Sequence, residues 1–281
     1  MIVRPKGGMS SGRGVAPVGG DFPETWVESL VEAAGSGLHI VAGMHTRLCE
    51  LPGLSEAANK AGVRLVDVRK PPLHIPVGMG IKRPGRRLLT VGTDCAVGKK
   101  YTALAIEKEM RARDMKATFR ATGQTGIMIA GEGVPIDAVV ADFISGAAEM
   151  LSPANEADHW DLIEGQGSIV NPGYAGVTVG LMHGSQPDAL VLCHEATRIG
   201  IDGWDGYDLP EMPTIIDHYL SAGRLTNPAI QMTGISINTS SLDRVEGKAY
   251  LRELEDRMRM PCVDPMVDGV GRIVDRLQAG G

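Results

Sequence analysis

The sequence predicts an α/β protein with a small N-terminal Rossmann-like domain and a larger domain with a mainly parallel sheet. Short apolar strands alternate with helical segments along most of the chain, which is typical of parallel sheets with helices on both faces. A glycine-rich segment, GTDCAVGKK, lies between one strand and the helix after it, where phosphate-binding loops occur. We predict a flexible segment at 1–13, the small domain at 14–80 and the larger domain at 81–281.

The elements of the small domain follow from the spacing of apolar residues and from the residues that break helices and strands. They are a strand at 15–20, a helix at 23–34 with Asp21 as its cap, a strand at 38–43, a helix at 54–61 that ends at Gly62, and a strand at 63–72 closed by two prolines. The next segment, 74–86, is dense in glycine and proline and is predicted to be a linker.

The larger domain repeats the same alternation. Its predicted elements are a strand from Arg87 into the glycine-rich segment, a helix at 99–113, a strand at 115–123, a helix at 136–150, a strand and loop at 159–168, strands at 187–196 and 230–238, a helix at 246–258 and a short strand at 262–266. This order predicts a doubly wound parallel sheet.

The glycine-rich segment has the features of a phosphate-binding P-loop. Its glycines let backbone N–H groups approach an anion, the N-terminus of the following helix favours negative charge, and a lysine adds a positive charge. We therefore predict a P-loop NTPase-like fold for the larger domain, rather than a turn with only a structural role. The predicted cofactor-binding residues of this loop are Gly92, Thr93, Asp94, Cys95, Ala96, Val97, Gly98, Lys99 and Lys100.

Lys100 departs from the usual loop, because a serine or threonine that binds Mg²⁺ normally occupies its position. Thr102 is the nearest hydroxyl, and it is two residues out of register. The glycine spacing is also one residue longer than in the plain Walker A form. We expect the loop to hold a pyrophosphate such as that of CoA without cleaving it, and we predict no resident metal.

Composition and charge argue against several classes of protein. The net charge is −6 and no long run of lysine or arginine occurs, which argues against a nucleic-acid partner. No apolar stretch approaches the roughly 18 residues that span a bilayer. The four cysteines form no C-x-x-C pair, which argues against a zinc site or a disulfide framework. We therefore expect a cytoplasmic protein with reduced thiols and no membrane partner.

Three segments, taken in order, resemble the dethiobiotin synthetase superfamily. GTDCAVGKK looks like the P-loop of that superfamily, and DLIEGQGS at 161–168 looks like its strand end, where an acidic residue meets metal or water. GISINTSS at 234–241 is similar to its late strand, and the resemblance implies that Asn238 contacts a nucleotide base. This resemblance extends from about Arg87 to the C-terminus and implies the fold.

A closer resemblance covers nearly the whole chain. The segments VAPVGG, HIVAGMH, VRLVDVRKPP, VGTDCAVGK, RATGQTGI, DLIEGQGS and VLCHEATR look like the D-glutamate N-acetyltransferase family. The resemblance implies acetyl transfer from acetyl-CoA to the amine of a D-amino acid, D-glutamate first. Members of the family begin with an additional strand before VAPVGG, so we expect the small domain to be incomplete here.

Acetyl transfer needs a base for the substrate ammonium and stabilisation of the thioester oxygen. Glu164 is the first candidate base, because it follows a predicted strand at the carboxyl edge of an open sheet. Asp94 could orient the amine from within the P-loop, and His194 could move the proton. Each has a structural alternative: a cap of the next turn, a hydrogen bond within the loop, or a buried histidine with satisfied partners.

A dicarboxylate substrate also needs cationic and amide partners, ideally bidentate arginine. Several such side chains follow predicted strands and would meet at one edge of the sheets, although each alone could be a solvated strand-end residue. The predicted substrate-binding residues are His45, Arg69, Lys70, Arg120, Thr122, Gln124 and Arg198.

Two other functions remain open from the sequence. One is an ATP-dependent ligase of the dethiobiotin synthetase type, which would need Mg²⁺, and the other is a regulator that binds a nucleotide without turnover. In each case the partners are small molecules, an amino acid with CoA or a nucleotide. We also expect a homo-oligomer, since related P-loop enzymes often complete their sites across subunits.

Overall fold

A computed structural model describes residues 2–3 and 21–280. The helices of this part of the chain are α1 (Glu24–Gly35), α2 (Leu54–Ala61), α3 (Lys99–Ala112), α4 (Gln124–Ala130), α5 (Ile144–Leu151), α6 (Ala175–Ser185), α7 (Met212–Gly223), α8 (Arg244–Met258) and α9 (Gly271–Ala279). Its strands are β1 (Ile2–Val3), β2 (His39–Ala42), β3 (Leu65–Asp67), β4 (Arg86–Gly92), β5 (Ala117–Arg120), β6 (Trp160–Ile163), β7 (Ala189–Glu195), β8 (Gln231–Asn238) and β9 (Cys262–Val263).

The small sheet has the order β1-β2-β3. Strands β2 and β3 are parallel, with Val41 opposite Val66, and β1 pairs antiparallel to β2. Apolar side chains of α1, β2 and α2 form a separate core under this sheet, as expected for a βαβ unit. The strand predicted at 15–20 lies outside the described residues, as does most of the segment predicted to be flexible, although Ile2–Val3 form β1.

The large sheet has six strands in the order β5-β6-β4-β7-β8-β9, all parallel. Its strands are almost wholly buried, and successive residues of β4 enter different cores. Leu88 packs with α3 and α9 on one face, whereas Leu89 packs with α5, α6 and α7 on the other. The predicted α/β class with a P-loop domain is therefore confirmed.

Strand β4 is the topological switch point of this sheet. From it, β5 and β6 build one half and β7, β8 and β9 build the other. Loops at the carboxyl ends of strands diverge at such a point, and they leave a crevice where ligands bind. The P-loop, which joins β4 to α3, therefore begins at this crevice.

The prediction of one continuous helix at 136–150 is wrong. Two short 3₁₀ turns, Ile136–Ala138 and Ala141–Phe143, precede α5. Between them Val139 is extended, consistent with the low helix propensity of adjacent β-branched residues. The backbone N–H of Ile136 also bonds to the carbonyl of Thr122, which holds the first turn against the end of β5.

Several predicted boundaries also change. The strands predicted at 63–72, 115–123 and 262–266 shrink to β3, β5 and β9. Asp21 does not cap α1; it accepts a hydrogen bond from Thr46, and Pro23 is the N-cap residue. Helix α8 begins earlier than predicted, because the Asp243 carboxylate accepts bonds from the N–H groups of Val245 and Glu246 and forms a capping box.

Four helices were not predicted, namely α4, α6, α7 and α9. Helix α4 has only seven residues, and it follows glycines that suggested a loop. The predicted linker is irregular up to Gly85 but is not free of contacts. A Cβ added to Gly146 of α5 would lie 1.7 Å from the carbonyl oxygen of Pro76, so this segment packs closely on the large domain. The domain boundaries at 80 and 81 stay a prediction.

Candidate active site

A cavity of about 920 Å³ lies at the carboxyl ends of the central strands. One wall is the P-loop and the start of α3, and a second is the turn after β6. The opposite wall consists of the segments after β8 and β9 and the first turns of α8. The volume is in the range of small-molecule and cofactor sites.

The P-loop encloses its own lysine. Lys99 Nζ donates to the backbone carbonyl of Asp94 at 2.7 Å, and burial lowers the pKa of this lysine. Gly98 has φ +100° and Ala96 has φ 57°, left-handed conformations that turn the backbone inward. A Cβ on Gly92 would lie 2.8 Å from Lys99 Nζ, so this glycine makes room for the ammonium group.

Asp94 is completely buried and fixes the P-loop to two other segments. One carboxylate oxygen accepts from Asn171 Nδ2 at 3.0 Å. The other accepts from Arg198 Nη1 at 2.9 Å and from the backbone N–H of Asp202 at 2.8 Å. With both oxygens bonded in this way, the side chain has the geometry of a structural tether, and nothing in these contacts supports the predicted catalytic role.

Two residues that the sequence did not single out also hold this loop. The Tyr219 hydroxyl donates to the carbonyl of Gly92 at 2.7 Å, and burial raises its pKa to about 12. Ser168 Oγ donates to the carbonyl of Thr93 at 3.0 Å. Tyr219 lies on α7, a helix that was not predicted, so no sequence signal placed it beside the loop.

Glu164 lies on the cavity wall directly after β6, and its side chain is held by the turn after β5. Its Oε2 accepts from the backbone N–H groups of Thr122 at 3.0 Å and Gly123 at 3.1 Å. Burial raises the pKa of this carboxyl, and the two N–H groups and the charges of Lys100 and Lys99 oppose that rise. A carboxyl group with a raised pKa beside a cavity is suited to general base chemistry.

The predicted motif RATGQTG forms the seat of this carboxylate. A Cβ on Gly126 would lie 2.2 Å from Glu164 Oε2, and one on Gly123 would lie 3.2 Å from Oε1. Thr122 Oγ1 donates to the backbone carbonyl of Glu164 at 2.6 Å and accepts from Gln166 at 3.1 Å. Thr122 is fully buried, so it positions Glu164 and does not itself face the cavity.

His194 is buried at the end of β7, where its Nδ1 lies 2.9 Å from Thr93 Oγ1. Burial, with a further contribution from Arg198, lowers its pKa to about 4. The imidazole is therefore neutral at pH 7 and is a weak proton acceptor. The contact with Thr93 makes it another support of the P-loop.

The hydroxyl nearest to the usual Mg²⁺ position is already hydrogen-bonded within the protein. Thr102 is buried, and its Oγ1 donates to the carbonyl of Gly98 at 3.1 Å and lies 2.8 Å from Ser236 Oγ. Lys100 lies over the Tyr101 ring at 4.5 Å. Among residues 2–3 and 21–280, no group of three or more His, Cys, Asp and Glu side chains could hold a metal ion.

All three predicted substrate arginines are engaged in ion pairs, and two of them, Arg120 and Arg198, pair with acidic residues of the large domain near its strand ends. Arg120 Nε lies 2.8 Å from Asp161, which is almost fully buried. Arg198 bridges Asp94 and Glu195 at 2.9 and 2.6 Å. These contacts hold the strand ends together and give no support to substrate binding by either arginine.

Other predicted substrate residues meet where the small domain contacts the large one. Arg69 Nη1 lies 3.0 Å from Asp137 and contacts His45, and the buried Arg69 Nε has no hydrogen-bond partner. Gln124 is near this group, since a Cβ on Gly43 would lie 2.5 Å from its Cβ. Lys70 is exposed, and among residues 2–3 and 21–280 its side chain has no hydrogen bond or ion pair.

Asn238 lines the cavity, and its Oδ1 accepts from the backbone N–H of Ser240. Beside it is Asp264, which the sequence analysis did not select. One Asp264 oxygen accepts from the N–H and hydroxyl of Thr239, the other from the N–H of Met266. Asp264 directly follows β9, at the kind of strand end where sites lie, but the strand predicted at 262–266 placed it inside the strand and so hid it.

Comparisons with known proteins agree with this architecture. Two protein-family models match the chain. DUF1611_N, described as a Rossmann-like domain of unknown function, matches residues 13–71, and DUF1611_C, described as a P-loop domain of unknown function, matches residues 76–274. A crystal structure of a DUF1611 family protein from Anabaena variabilis superposes with a TM-score of 0.88 at 34% identity, covering 95% of this chain and 78% of that one.

Among residues 2–3 and 21–280, no helix has the length and apolar character to cross a membrane.

Two curated relatives are similar over almost the whole chain. The D-glutamate N-acetyltransferase of Tritonibacter scottomollicae is 50% identical over 266 residues, which are 95% of this chain and 80% of that protein. The D-glutamate N-acetyltransferase of a Pseudoalteromonas species is 48% identical over 264 residues, 94% of this chain and 80% of that protein. The resemblance predicted from the sequence is thereby confirmed, and the chain belongs to the DUF1611 family.

Proposed function

We propose that this protein is a D-glutamate N-acetyltransferase that uses acetyl-CoA as its donor. One observation carries the proposal: Glu164, a carboxyl with a raised pKa, lies on the wall of the cavity that the P-loop also lines. A base and an anion-binding loop are thus open to the same space. The similarity to two D-glutamate N-acetyltransferases at about half identity supports the same reaction here.

The P-loop suits the pyrophosphate of the donor. Lys99 and the backbone N–H groups at the start of α3 supply positive potential. The carbonyl of Asp94, which accepts the Lys99 ammonium, would release it to a phosphate oxygen. The apolar side chains of Leu242, Leu251 and Met266 line the same cavity, so it offers both polar and apolar surface to a CoA thioester.

Glu164 acts as the base in the proposed reaction. Its carboxylate takes a proton from the substrate ammonium, and the neutral amine then attacks the thioester carbonyl carbon. The new C–N bond forms as the C–S bond breaks, and CoA leaves as its thiolate, which takes up the proton that the nitrogen loses as it becomes an amide. The peptide N–H groups of Thr122 and Gly123 keep the carboxylate in place throughout, which limits the reorganisation that the reaction requires.

The amino acid carboxylates would bind on the side of Glu164 that faces the small domain. Arg69 supports this placement, because its buried Nε has no partner while its Nη1 is already paired with Asp137. An unpaired buried donor is unfavourable, and a substrate carboxylate would satisfy it. Gln124, at the start of α4 beside Gly43, adds an amide on the same side.

The structure favours acetyl transfer over ATP-dependent ligation. Phosphoryl transfer by P-loop enzymes uses a hydroxyl next to the lysine to hold Mg²⁺. Here that position is Lys100, and the nearby Thr102 hydroxyl is committed to Gly98 and Ser236. A donor with no metal requirement fits these residues better.

Thiol release from acetyl-CoA in the absence of ATP tests the proposed function. We expect thiol release and N-acetyl-D-glutamate, identified by mass spectrometry, with D-glutamate, and much slower release with L-glutamate. If no D-amino acid releases thiol, but ATP is hydrolysed with Mg²⁺ and a carboxylic acid, the protein is an ATP-dependent ligase and the proposed acetyltransferase function is wrong.

A further inference from the structure

The outer wall of the cavity carries three cations on one face of α8. Arg244 and Lys248 line the main cavity, and Lys248 and Arg252 line an adjoining cavity of about 530 Å³. The two cavities share Lys248, Leu251 and Asp268. Because residues four apart lie above one another on a helix, the three cations form one stripe that runs from one cavity into the other.

This stripe has no counter-charge bonded to it. Within residues 21–280, none of the three side chains forms an ion pair or a hydrogen bond, whereas nearby Arg272 is paired with Glu255 at 2.6 Å. Like charges four residues apart destabilise a helix. A bound anion would remove that repulsion. The stripe therefore has the properties of an anion site, and the pyrophosphate that we place in the P-loop does not occupy it.

Most acidic groups around the stripe are already committed. Asp243 caps α8, Asp264 accepts four bonds from backbone and hydroxyl groups, and Glu255 is paired with Arg272. Asp256 and Asp268 are the remaining acidic residues that line the adjoining cavity. Asp256 lies one turn beyond Arg252 on α8, and Asp268 lines both cavities together with Lys248. Within residues 21–280, neither carboxylate forms an ion pair or a hydrogen bond with the stripe.

The proposed donor has an anion that fits this position. CoA carries a phosphate on the 3′ oxygen of its ribose, in addition to the pyrophosphate. If the pyrophosphate lies in the P-loop, the nucleoside extends toward Asn238 and the segment after β9, which line the opposite wall. The first turns of α8 continue that wall. The stripe therefore lies where a ribose phosphate would leave the main cavity.

We propose that Lys248 and Arg252, with Arg244, bind the 3′-phosphate of the CoA ribose and so select a CoA thioester over ATP. The inference rests on the proposed function, because it assigns one part of the same donor. ATP has a free 3′-hydroxyl and would leave the stripe without a partner.

Acetyl-CoA and 3′-dephospho-acetyl-CoA, compared as donors with D-glutamate, test this assignment. We expect the wild-type KM to be about tenfold higher for the dephospho donor, the effect of one or two charge-assisted hydrogen bonds. The double variant Lys248→Gln/Arg252→Gln should raise the KM for acetyl-CoA to that of the dephospho donor and leave the dephospho KM unchanged. Arg257→Gln, on the same helix but outside both cavities, should keep the wild-type preference.

Equal use of both donors by the wild type would overturn the inference while leaving the acetyltransferase intact, as would a double variant that keeps the preference. Absence of turnover with either donor would instead contradict the proposed function. Calorimetry then separates the two claims. Tighter binding of adenosine 3′,5′-diphosphate than of AMP, lost in the double variant, supports the phosphate site without any turnover, and equal binding contradicts it.

Discussion

Glu164 is subject to opposing influences on its charge. Burial raises its pKa, and the N–H groups of Thr122 and Gly123 and the two P-loop lysines act against that rise. The net result is a carboxyl that ionises at a higher pH than an ordinary glutamate and is a stronger base when it does. Folding favours the protonated form of Glu164. The contribution of this carboxyl to the free energy of unfolding is therefore present at low pH and is lost as pH rises through its folded pKa.

The pH dependence of kcat/KM should show this shift. Because the base works when deprotonated, we expect kcat/KM for D-glutamate to fall with decreasing pH through an apparent pKa above the usual glutamate range. A pH–rate profile with acetyl-CoA checks this. A flat profile down to pH 4 would exclude a carboxyl base with a raised pKa.

Gly126 is the residue on which the position of Glu164 most directly depends. A Cβ there would lie 2.2 Å from Oε2, so Gly126→Ala must displace the carboxylate. We expect kcat to fall by about 10²-fold, the scale of a displacement of about 1 Å at a catalytic group. Steady-state kinetics of the purified variant give the measurement.

Gly176→Ala is the matched control for that substitution. Gly176 is also in a helix, but a Cβ there meets nothing within 4 Å, and alanine should stabilise α6 by roughly 0.5–1 kcal/mol. Unchanged kcat in this variant with a large loss in Gly126→Ala assigns the effect to Glu164. Similar kcat values in the two variants would show that catalysis does not depend on the position of the Glu164 carboxylate against Gly126.

At the scale of elements, the P-loop is braced from three directions. Helix α7 supplies Tyr219, the segment after β6 supplies Ser168 and Asn171, and the segment after β7 supplies Arg198. A braced loop loses little conformational freedom when it binds an anion, and this preorganisation favours affinity. The position of the loop is thus fixed by residues outside it, and its own glycines and lysine are left to bind the ligand.

Lys99→Ala should therefore act mainly on the donor. We expect the KM for acetyl-CoA to rise by about 10- to 100-fold, as for loss of a charge-assisted hydrogen bond to phosphate, with a smaller change in the KM for D-glutamate. Lys108→Ala, an exposed position on the same helix, is the control and should match the wild type. An unchanged KM for acetyl-CoA in Lys99→Ala would remove the P-loop from the donor site.

The elements that could be predicted from sequence are those whose signals are local. The strand, glycine loop and lysine of β4 and α3 are contiguous, and Glu164 was found because a strand end precedes it. Helix α8 was placed from its own spacing, but its basic stripe became visible only when β8 and β9 put it beside the P-loop. Tyr219 and Asn171 act on the P-loop across the fold, and their sequence neighbours carry no sign of it.

At the scale of the whole molecule, two surfaces converge on one carboxylate. The large cavity approaches Glu164 from the P-loop and α8, while Thr122 and Gly123 hold it from the edge of the sheet nearest the small domain. Gly43 and Arg69 of the small domain contact Gln124 and Asp137 at that edge. A donor and an acceptor could thus reach the base from different sides, as direct transfer between two bound substrates requires.

The most direct test of this account is thiol release from acetyl-CoA with D-glutamate by the wild type and by Glu164→Gln, in EDTA and without ATP. We predict that the wild type is active under these conditions and that Glu164→Gln is slower by at least about 10²-fold, the lower end of the contribution of a general base. Gln keeps an oxygen for the two N–H groups, so the variant should remain folded. Wild-type rates in Glu164→Gln, or wild-type activity only with ATP and Mg²⁺, would contradict the account.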